Sequence, residues 1–265
     1  MTDASLPARA VRTIDLNCDL GESFGAWRMG ADEDVMPHIS SANIACGYHA
    51  GDPATMRRSV ELACAAGVAI GAHVALPDLQ GFGRREMRIG MDEAYAMTLY
   101  QIGALSAFAR AAGTFLRHVK PHGALYAMAA ADAALARAIA SAVRDCDPML
   151  VLVGLAGSEL PRAGDDCGLA VAHEAFADRR YRRDGTLVPR SESGAVIDDL
   201  DEAIAQATAI ASGDAISADD GSPLRLRADT LCVHGDHAGA PMRARRLREA
   251  LEHAGISIAA PGTRA

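Results

Sequence analysis

Short apolar runs alternate along this chain with longer alanine-rich segments whose hydrophobic residues recur with the period of a helix. The short runs are rich in valine, isoleucine and leucine, which is typical of buried strands. They predict seven strands, at residues 13–18, 41–46, 68–74, 116–120, 149–153, 169–173 and 230–233. The periodic segments predict helices at residues 53–66, 91–112, 125–143, 200–212 and 241–254. Several of these helices end at a glycine, as helix C-termini often do.

The alternation of strands and helices predicts how the sheet is built. Strands separated by helices pair in parallel, and the helices cover the sheet. No internal repeat, low-complexity tract or linker interrupts the pattern. We therefore expect one α/β domain over residues 1–265, folded as a TIM-like, seven-stranded (β/α) barrel.

Polar and titratable residues follow the predicted strands at their carboxyl ends. In parallel α/β barrels the active site is assembled from these ends and the loops after them, so residues far apart in sequence should meet in one pocket. Histidines and carboxylates in such a pocket suit general acid–base chemistry. We predict catalytic roles for Asp19, Glu22, His49, His73, Lys120, His122, Glu174, His234 and Asp236.

Three polar residues on the first two strands are candidates for binding a substrate. Asn17 and Asn43 lie close to the strand ends. Asp15 lies in mid-strand, where a buried carboxylate needs a partner, so it either belongs to the site or is paired structurally. Three other histidines are expected in helical or loop contexts with structural roles: His38, His118 and His253.

Lys120 is the only lysine, since the other 25 of the 26 basic residues are arginine. Arginine is a planar fork that stays charged, whereas lysine is a compact point charge whose pKa is lowered by burial. Pro121 holds Lys120 in an extended conformation just before a predicted helix, whose N-terminus favours anions. Lys120 is therefore either an ammonium that helps to bind phosphate or carboxylate, or a neutral base.

Two arginine-rich segments add candidates for anion binding. Arg84 and Arg85 follow a glycine-rich stretch, where their guanidinium groups suit a phosphate or a carboxylate. A denser run follows the sixth predicted strand, and we expect a few of its members to reach the pocket. The candidates from this run are Asp178, Arg179 and Arg190.

Composition limits which binding partners and which cellular compartment are expected. The net charge of −8 argues against nucleic acid, because a phosphate backbone requires a basic face. The N-terminus lacks the apolar core of a signal peptide, and no apolar run is long enough to span a bilayer. The six cysteines contain no CxxC pair and are expected to be reduced thiols. We predict a cytoplasmic protein, with a homo-oligomer left open.

Six segments in order resemble the LamB/YcsF family over residues 14–258. They are DLNCDLGESFG, SSANIACGYHAGDP, DLQGFGRREM, HVKPHGALY, EAFADRRYRRDGTLVPR and LCVHGDHAGA. The resemblance implies a seven-stranded α/β barrel of the glycoside hydrolase/deacetylase kind. It also implies the activity of a bacterial 5-oxoprolinase, of which the family supplies one of three chains. That enzyme opens the lactam of 5-oxo-L-proline to L-glutamate with ATP, Mg²⁺ and partner subunits B and C.

That chemistry requires cations for the phosphoryl and carboxylate groups and a general base for water. Candidates for the cations are Lys120, His122, Arg84 and Arg85, and candidates for the base are Asp19, Glu22, Glu174 and Asp236. No GxxxxGK[ST] loop is present, and this loop is the common phosphate-binding motif. ATP is therefore bound in another way or on a partner chain.

Two alternative functions stay open. The first is a metal-dependent deacetylase or amidohydrolase on the same barrel, because barrels of that superfamily commonly hold a divalent ion with an aspartate and two histidines. Its candidate ligands are Asp19, His49 and His73, or His122 and His234. The paired aspartates and HxxxH pattern of the deacetylases are missing. The second alternative is a chain that binds substrate without catalysing its conversion.

Overall fold

The computed structural model describes residues 12–233 and 239–262. Its strands, numbered in chain order, are β1 Arg12–Leu20, β2 Ser41–Ala45, β3 Ala69–Val74, β4 His118–Pro121, β5 Val151–Leu155, β6 Ala170–Phe176, β7 Ile216–Ser217, β8 Pro223–Leu224, β9 Thr230–Val233 and β10 Ile256–Ile258. The helices are α1 Asp32–Val35, α2 Pro53–Ala66, α3 Met91–Ala111, α4 Gly123–Ala131, α5 Ala133–Cys146, α6 Glu159–Asp166, α7 Leu200–Ser212 and α8 Ala240–His253, with a 3₁₀ turn at Met36–His38.

Seven parallel strands close into a barrel. The order is β1-β2-β3-β4-β5-β6-β9, and β9 pairs in parallel with both β6 and β1. β10 extends the sheet by pairing with the first residues of β1, while β7 and β8 form a separate antiparallel pair. The predicted seven-stranded α/β barrel is confirmed.

The alternation of side chains along β1 separates the apolar core from the interior of the barrel. Successive strand residues point to opposite faces, so every second residue of β1 is apolar and packs in the main hydrophobic core. The residues between them are polar and make hydrogen bonds to the other barrel strands. These interior residues are Asp15, Asn17 and Asp19.

The helix predicted at residues 125–143 is two helices, and that prediction was wrong. α4 and α5 meet at Asp132 with an angle of 116° between them. The Asp132 side chain accepts hydrogen bonds from the backbone N–H groups of Ala134 and Leu135, so it caps α5 in the way an N-cap aspartate does. Among the described residues, no single helix is long and apolar enough to cross a membrane; only the bent pair α4–α5, taken together, reaches that length and composition.

Several short elements lie between the predicted ones. α1, α6, the β7–β8 pair and β10 were not predicted. α6 contains Pro161 and Gly164, and both residues have low helix propensity. Val171 lies 2.5 Å from where a Cβ at Gly164 would stand, so this glycine allows α6 to approach β6 closely.

Candidate active site

Asp15 forms the lowest polar layer of the barrel interior. It is buried, and its carboxylate accepts hydrogen bonds from the hydroxyls of Ser40, Ser41 and Thr230 at 2.6, 2.7 and 2.5 Å. Burial raises the pKa of Asp15 to about 6, although the three hydroxyls act in the opposite direction. Of the two roles left open by the sequence, the described contacts are those of a structurally paired carboxylate.

Asn17 connects the Asp15 layer to the polar layer above it. Its Nδ2 donates to Thr230 Oγ1 at 2.6 Å and to Glu174 Oε1 at 3.0 Å. Its Oδ1 accepts from Asn43 Nδ2 at 2.7 Å and from Lys120 Nζ at 3.1 Å. One amide on β1 therefore contacts four other strands, because its partners lie on β2, β4, β6 and β9.

Lys120 is the charged centre of the second layer. Its Nζ lies 2.9 Å from Asp19 Oδ1 and 2.7 Å from Glu174 Oε1, and it donates to Cys232 Sγ at 3.1 Å. Only 2% of the Lys120 surface is exposed. The residue therefore joins β1, β6 and β9 through one buried ammonium, and Asp19, Lys120 and Glu174 are brought together as predicted.

The carboxylates decide the charge state of Lys120. Burial alone would lower its pKa, but the negative charges of Asp19 and Glu174 outweigh burial and hold that pKa well above its ordinary value. These surroundings favour the ammonium form of Lys120 over the neutral base that the sequence left open. Burial also raises the pKa of the Cys232 thiol well above its usual range, so the sulfur stays protonated.

His118 lies inside the barrel, in β4, and the expectation of a helical or loop context was wrong. Its Nε2 donates to Asn43 Oδ1 at 2.7 Å, and Asn43 in turn donates to Asp19 Oδ1 at 2.8 Å. The ring fits because Gly71 faces it from β3: a Cβ at Gly71 would overlap His118 Nε2. His118 therefore orients the amide that holds Asp19.

Three histidines and Glu22 lie together above the Lys120 layer. Glu22 Oε1 is 3.2 Å from His49 Nε2 and 3.7 Å from His122 Nδ1. His122 Nδ1 is 3.0 Å from His73 Nε2, and the same nitrogen of His73 is 3.3 Å from Asp19 Oδ2. We call Glu22, His49, His73 and His122 the histidine cluster; all four residues are buried.

The rings of the histidine cluster pack against one another. His49 and His122 stack with centroids 3.8 Å apart and an angle of 8° between the rings, while His73 meets both edge-on. Burial, followed by the neighbouring histidines, lowers the pKa of His122 to about 3 and that of His49 well below its ordinary value. Both shifts favour the neutral rings, so these surroundings disfavour His122 as one of the expected cations.

The glycine-rich segment after β3 closes one side of the cluster. The Phe82 carbonyl accepts a hydrogen bond from His122 Nε2 at 2.8 Å, and the Phe82 ring lies edge-on to His49 and His122. A Cβ at Gly83 would stand 2.8 Å from His122 Cδ2 and 2.9 Å from His49 Cβ. The glycine is therefore required by close approach to the rings.

The two arginines of this segment have different surroundings. Arg85 is bound to Asp78, with 2.9 Å between Nε and Oδ1, and this pair lies outside the histidine cluster. Arg84 lies over the Phe82 ring, with its guanidinium carbon 5.0 Å from the ring centroid. Its positive charge also disfavours protonation of His49 and His122. Arg84 is therefore the arginine of the two that acts on the cluster.

The arginines that follow β6 lie in a long loop, and one of them holds it together. Arg179 is buried and donates from Nη2 to the Val188 carbonyl at 2.6 Å, so it ties the two ends of a turn together. Burial, followed by the charge of Arg190, lowers the pKa of Arg179 to about 10, while Asp178 acts in the opposite direction. Asp178 is partly exposed and Arg190 is exposed. These three residues form one charged group beside β6.

Two predicted catalytic residues, His234 and Asp236, lie outside the described residues.

Sequence reasoning also missed contributors to the site. Cys232 contacts the Lys120 ammonium, and Phe82 anchors His122. The Tyr126 hydroxyl lies beside Glu174. Burial, followed by the charge of Glu174, raises the pKa of the phenol well above its ordinary value. An apolar strand residue and an aromatic residue in a helix carry no sequence signal of such roles.

The site has buried polar atoms that no described residue fully satisfies. Glu174 Oε2, the Tyr126 hydroxyl and His49 Nδ1 are buried and make no well-formed hydrogen bond within the described part of the chain. Such atoms cost free energy unless a ligand or water pairs with them. The cluster Glu22, His49, His73 and His122 also has the ligand types and spacing of a metal site. The arrangement therefore places the Lys120 cation beside carboxylates and histidines that can exchange protons.

Comparison with known proteins gives consistent matches over nearly the whole chain. The model of the LamB/YcsF family matches residues 14–264. The A subunit of the 5-oxoprolinase of Brevibacillus brevis is 55% identical over 250 residues, which cover 94% of this chain and 98% of the relative. Its counterpart from Methylococcus capsulatus is 58% identical over 251 residues, which cover 95% of this chain and 96% of the relative. The crystal structure of a lactam utilization protein from Thermus thermophilus matches with a TM-score of 0.89 at 50% identity, covering 94% of this chain and 99% of that one.

Proposed function

This chain belongs to the LamB/YcsF family, and we propose that it is the A subunit of a 5-oxoprolinase, which opens the lactam ring of 5-oxo-L-proline to L-glutamate. The observation that carries the proposal is the similarity to curated 5-oxoprolinase A subunits, at 55% and 58% identity over almost the full length of both chains. The match to a lactam utilization protein supports the same substrate class, because 5-oxoproline is a lactam.

The buried groups of the barrel suit a small, planar, anionic amide. Lactam hydrolysis places negative charge on the carbonyl oxygen, and catalysis is strongest where positive groups are already oriented towards that charge. The Lys120 ammonium is held in place by Asp19 and Glu174. Glu174 Oε2 and the Tyr126 hydroxyl are buried near each other, and we propose that they face the N–H and C=O of the ring.

We propose that Asp19 is the general base that accepts a proton from the attacking water. Its Oδ2 lies beside His73 Nε2, at 3.3 Å, while Oδ1 is fixed by Lys120 and Asn43. The side chain is 14% exposed, so it is the most accessible member of the Asp19–Lys120–Glu174 group. Glu22, Glu174 and Asp236 are the other candidates for this role.

Ring opening of a five-membered lactam is unfavourable unless it is coupled to another reaction. We propose that MgATP supplies this coupling. Transfer of the γ-phosphoryl group to the amide oxygen releases ADP and makes the carbonyl carbon electrophilic. One water then adds and the C–N bond breaks to leave an acyl phosphate, which a second water hydrolyses to glutamate and phosphate. The name of the relatives implies partner subunits, and we propose that they are subunits B and C. We propose that Arg84 and Arg190, which are exposed, bind the anionic groups of the reactants. We also propose that the complex works in the cytoplasm.

The experiment that tests the proposal measures glutamate and ADP released from 5-oxo-L-proline with MgATP. The chain is assayed by itself, with its candidate B and C subunits, and with each of the three chains omitted in turn. Glutamate from the complete set that is lost on omission of this chain is the expected result. No glutamate from any combination that contains the three purified, folded chains would overturn the proposal and would direct attention to metal-dependent amide hydrolysis.

A further inference from the structure

We propose that Glu22, His49, His73 and His122 bind one divalent transition-metal ion of the Zn²⁺ class. This set differs from the aspartate and two histidines expected from the sequence, because Glu22 and His122 take part and Asp19 is held by Lys120. The proposal concerns binding alone and does not depend on which substrate the barrel uses.

The spacing of the ligand atoms fits a single small cation. Zn–N and Zn–O bonds of about 2.0–2.1 Å in a tetrahedral site place neighbouring ligand atoms about 3.3 Å apart. In the histidine cluster, Glu22 Oε1 to His49 Nε2 is 3.2 Å, Glu22 Oε1 to His122 Nδ1 is 3.7 Å, and His122 Nδ1 to His73 Nε2 is 3.0 Å. All four ligand atoms lie within 4.8 Å of one another.

Backbone carbonyls fix the orientation of two of the rings. His73 Nδ1 donates to the Lys120 carbonyl at 2.9 Å, and His122 Nε2 donates to the Phe82 carbonyl at 2.8 Å. Each ring thereby turns its other nitrogen inwards, so that His73 Nε2 and His122 Nδ1 face each other. Histidines that bind metals have this arrangement, in which the outer N–H is held by a carbonyl and the inner nitrogen is the ligand.

The cluster is held in place before any ligand enters. The His49 and His122 rings are stacked, and the absent side chain of Gly83 lets the backbone pack against both. Phe82 has a positive φ of 55°, a conformation that is uncommon for a residue other than glycine. The loop is therefore held in an uncommon conformation at the point where its carbonyl orients His122.

The charges around the cluster favour a cation. Asp19, Glu22 and Glu174 are buried or nearly so, and Asp19 and Glu174 share the Lys120 ammonium. Arg84 also acts on the cluster, but from an exposed position. Burying several carboxylates close together is costly, and a divalent ion beside Glu22 and Asp19 would reduce that cost. Nitrogen-rich ligand sets select Zn²⁺ and similar ions over Mg²⁺ or Ca²⁺.

The test measures metal binding directly. Protein treated with a chelator and dialysed is titrated with Zn²⁺ by calorimetry, and metal content is measured after gel filtration. We expect one ion per chain, and Co²⁺ should give the visible absorption of a site with nitrogen ligands. Glu22→Gln and His122→Ala should each weaken binding by about 100-fold or more, because removing even an outer partner of a metal ligand costs about 10- to 100-fold.

Matched variants separate this site from adventitious binding. His253→Ala removes an exposed histidine and Cys64→Ser an exposed thiol, and both should bind Zn²⁺ like the wild type. Glu22→Gln keeps the size of the side chain, so it tests the site even if His122→Ala fails to fold. Absence of stoichiometric binding to the wild type, or unchanged binding in folded Glu22→Gln, would overturn the proposal without bearing on glutamate release.

Discussion

The ammonium of Lys120 forms a buried ion pair with Glu174, with 2.7 Å between Nζ and Oε1. The same ammonium lies 2.9 Å from Asp19, so a single lysine on β4 holds two carboxylates from distant parts of the sequence. The compact head of lysine suits this position, because Asn17 and Cys232 also lie within hydrogen-bond distance of Nζ. This geometry accounts for the one lysine in a chain otherwise supplied with arginine.

Lys120→Arg should therefore reduce glutamate release far more than an exchange between two cations normally does. The planar guanidinium is larger than the ammonium, which already has four side-chain partners within 3.1 Å. A displacement of about 1 Å at a reacting centre can cost about 100-fold in rate. The measurement is kcat with the complete set of subunits. Arg137→Lys, at an exposed position, is the control and should leave the rate unchanged. A Lys120→Arg enzyme with normal turnover would contradict this explanation.

Gly83→Ala should disturb the histidine cluster. The added methyl group would meet His49 and His122 at 2.9 and 2.8 Å, and the residue has a φ of +65°, which is unfavourable for alanine. We expect a loss of about 1–3 kcal/mol in unfolding free energy, as for other overpacked positions, together with weaker Zn²⁺ binding. Denaturant unfolding and calorimetry measure the two effects. Gly90→Ala is the control, since a Cβ there meets nothing within 4 Å. Equal stability of the two variants would show that the loop yields to the methyl group.

Much of the barrel could be predicted because its strands are apolar and end in polar residues. The spacing of Asp15, Asn17 and Asp19 along β1 placed all three on one face, and Glu22 follows in the next loop. Their partners could not be predicted, since contacts such as Asn17 to Thr230 join residues 213 positions apart. His118 lies within the predicted strand 116–120, but its contact with Asn43 inside the barrel could not be predicted, because the glycine that makes room for its ring lies on another strand.

The sequence does not distinguish the neighbouring residues Arg84 and Arg85 either, although their contacts differ. Substitution of each should separate their roles. Arg85→Ala should lower the thermal midpoint, because it leaves the buried Asp78 carboxylate, which also accepts from the Gly81 N–H, without its guanidinium partner. Arg84→Ala should leave the midpoint close to that of the wild type and reduce glutamate release. Thermal unfolding and the coupled assay measure both variants. The reverse pattern would mean that Arg85 acts on the substrate and that Arg84 supports the loop.

Asp15 should make the protein less stable as the pH rises from about 4 to about 6. Its pKa is about 6 in the folded chain against an ordinary value of 3.8, so the folded state favours the protonated acid. The contribution of this group to unfolding free energy is therefore complete below about pH 4 and lost as the pH passes 6, a difference of about 3 kcal/mol. Asp15→Asn should remove that slope in denaturant unfolding measured between these pH values. An identical slope in the variant would assign the titration to another residue.

His118 should act in the opposite direction, which makes the two groups separable. Burial lowers its pKa from 6.5 to about 3, so the folded state disfavours the charged ring. Its contribution to stability is therefore complete above about pH 6.5 and is lost as the pH falls towards 3, by up to about 5 kcal/mol. His118→Gln keeps a donor for Asn43 Oδ1 and cannot take up a proton, so its unfolding free energy should fall less steeply with acid than that of the wild type. The exposed position 253 provides the control: His253→Gln should follow the wild-type curve. If His118→Gln loses stability with acid as steeply as the wild type, protonation of the buried ring does not contribute to acid unfolding.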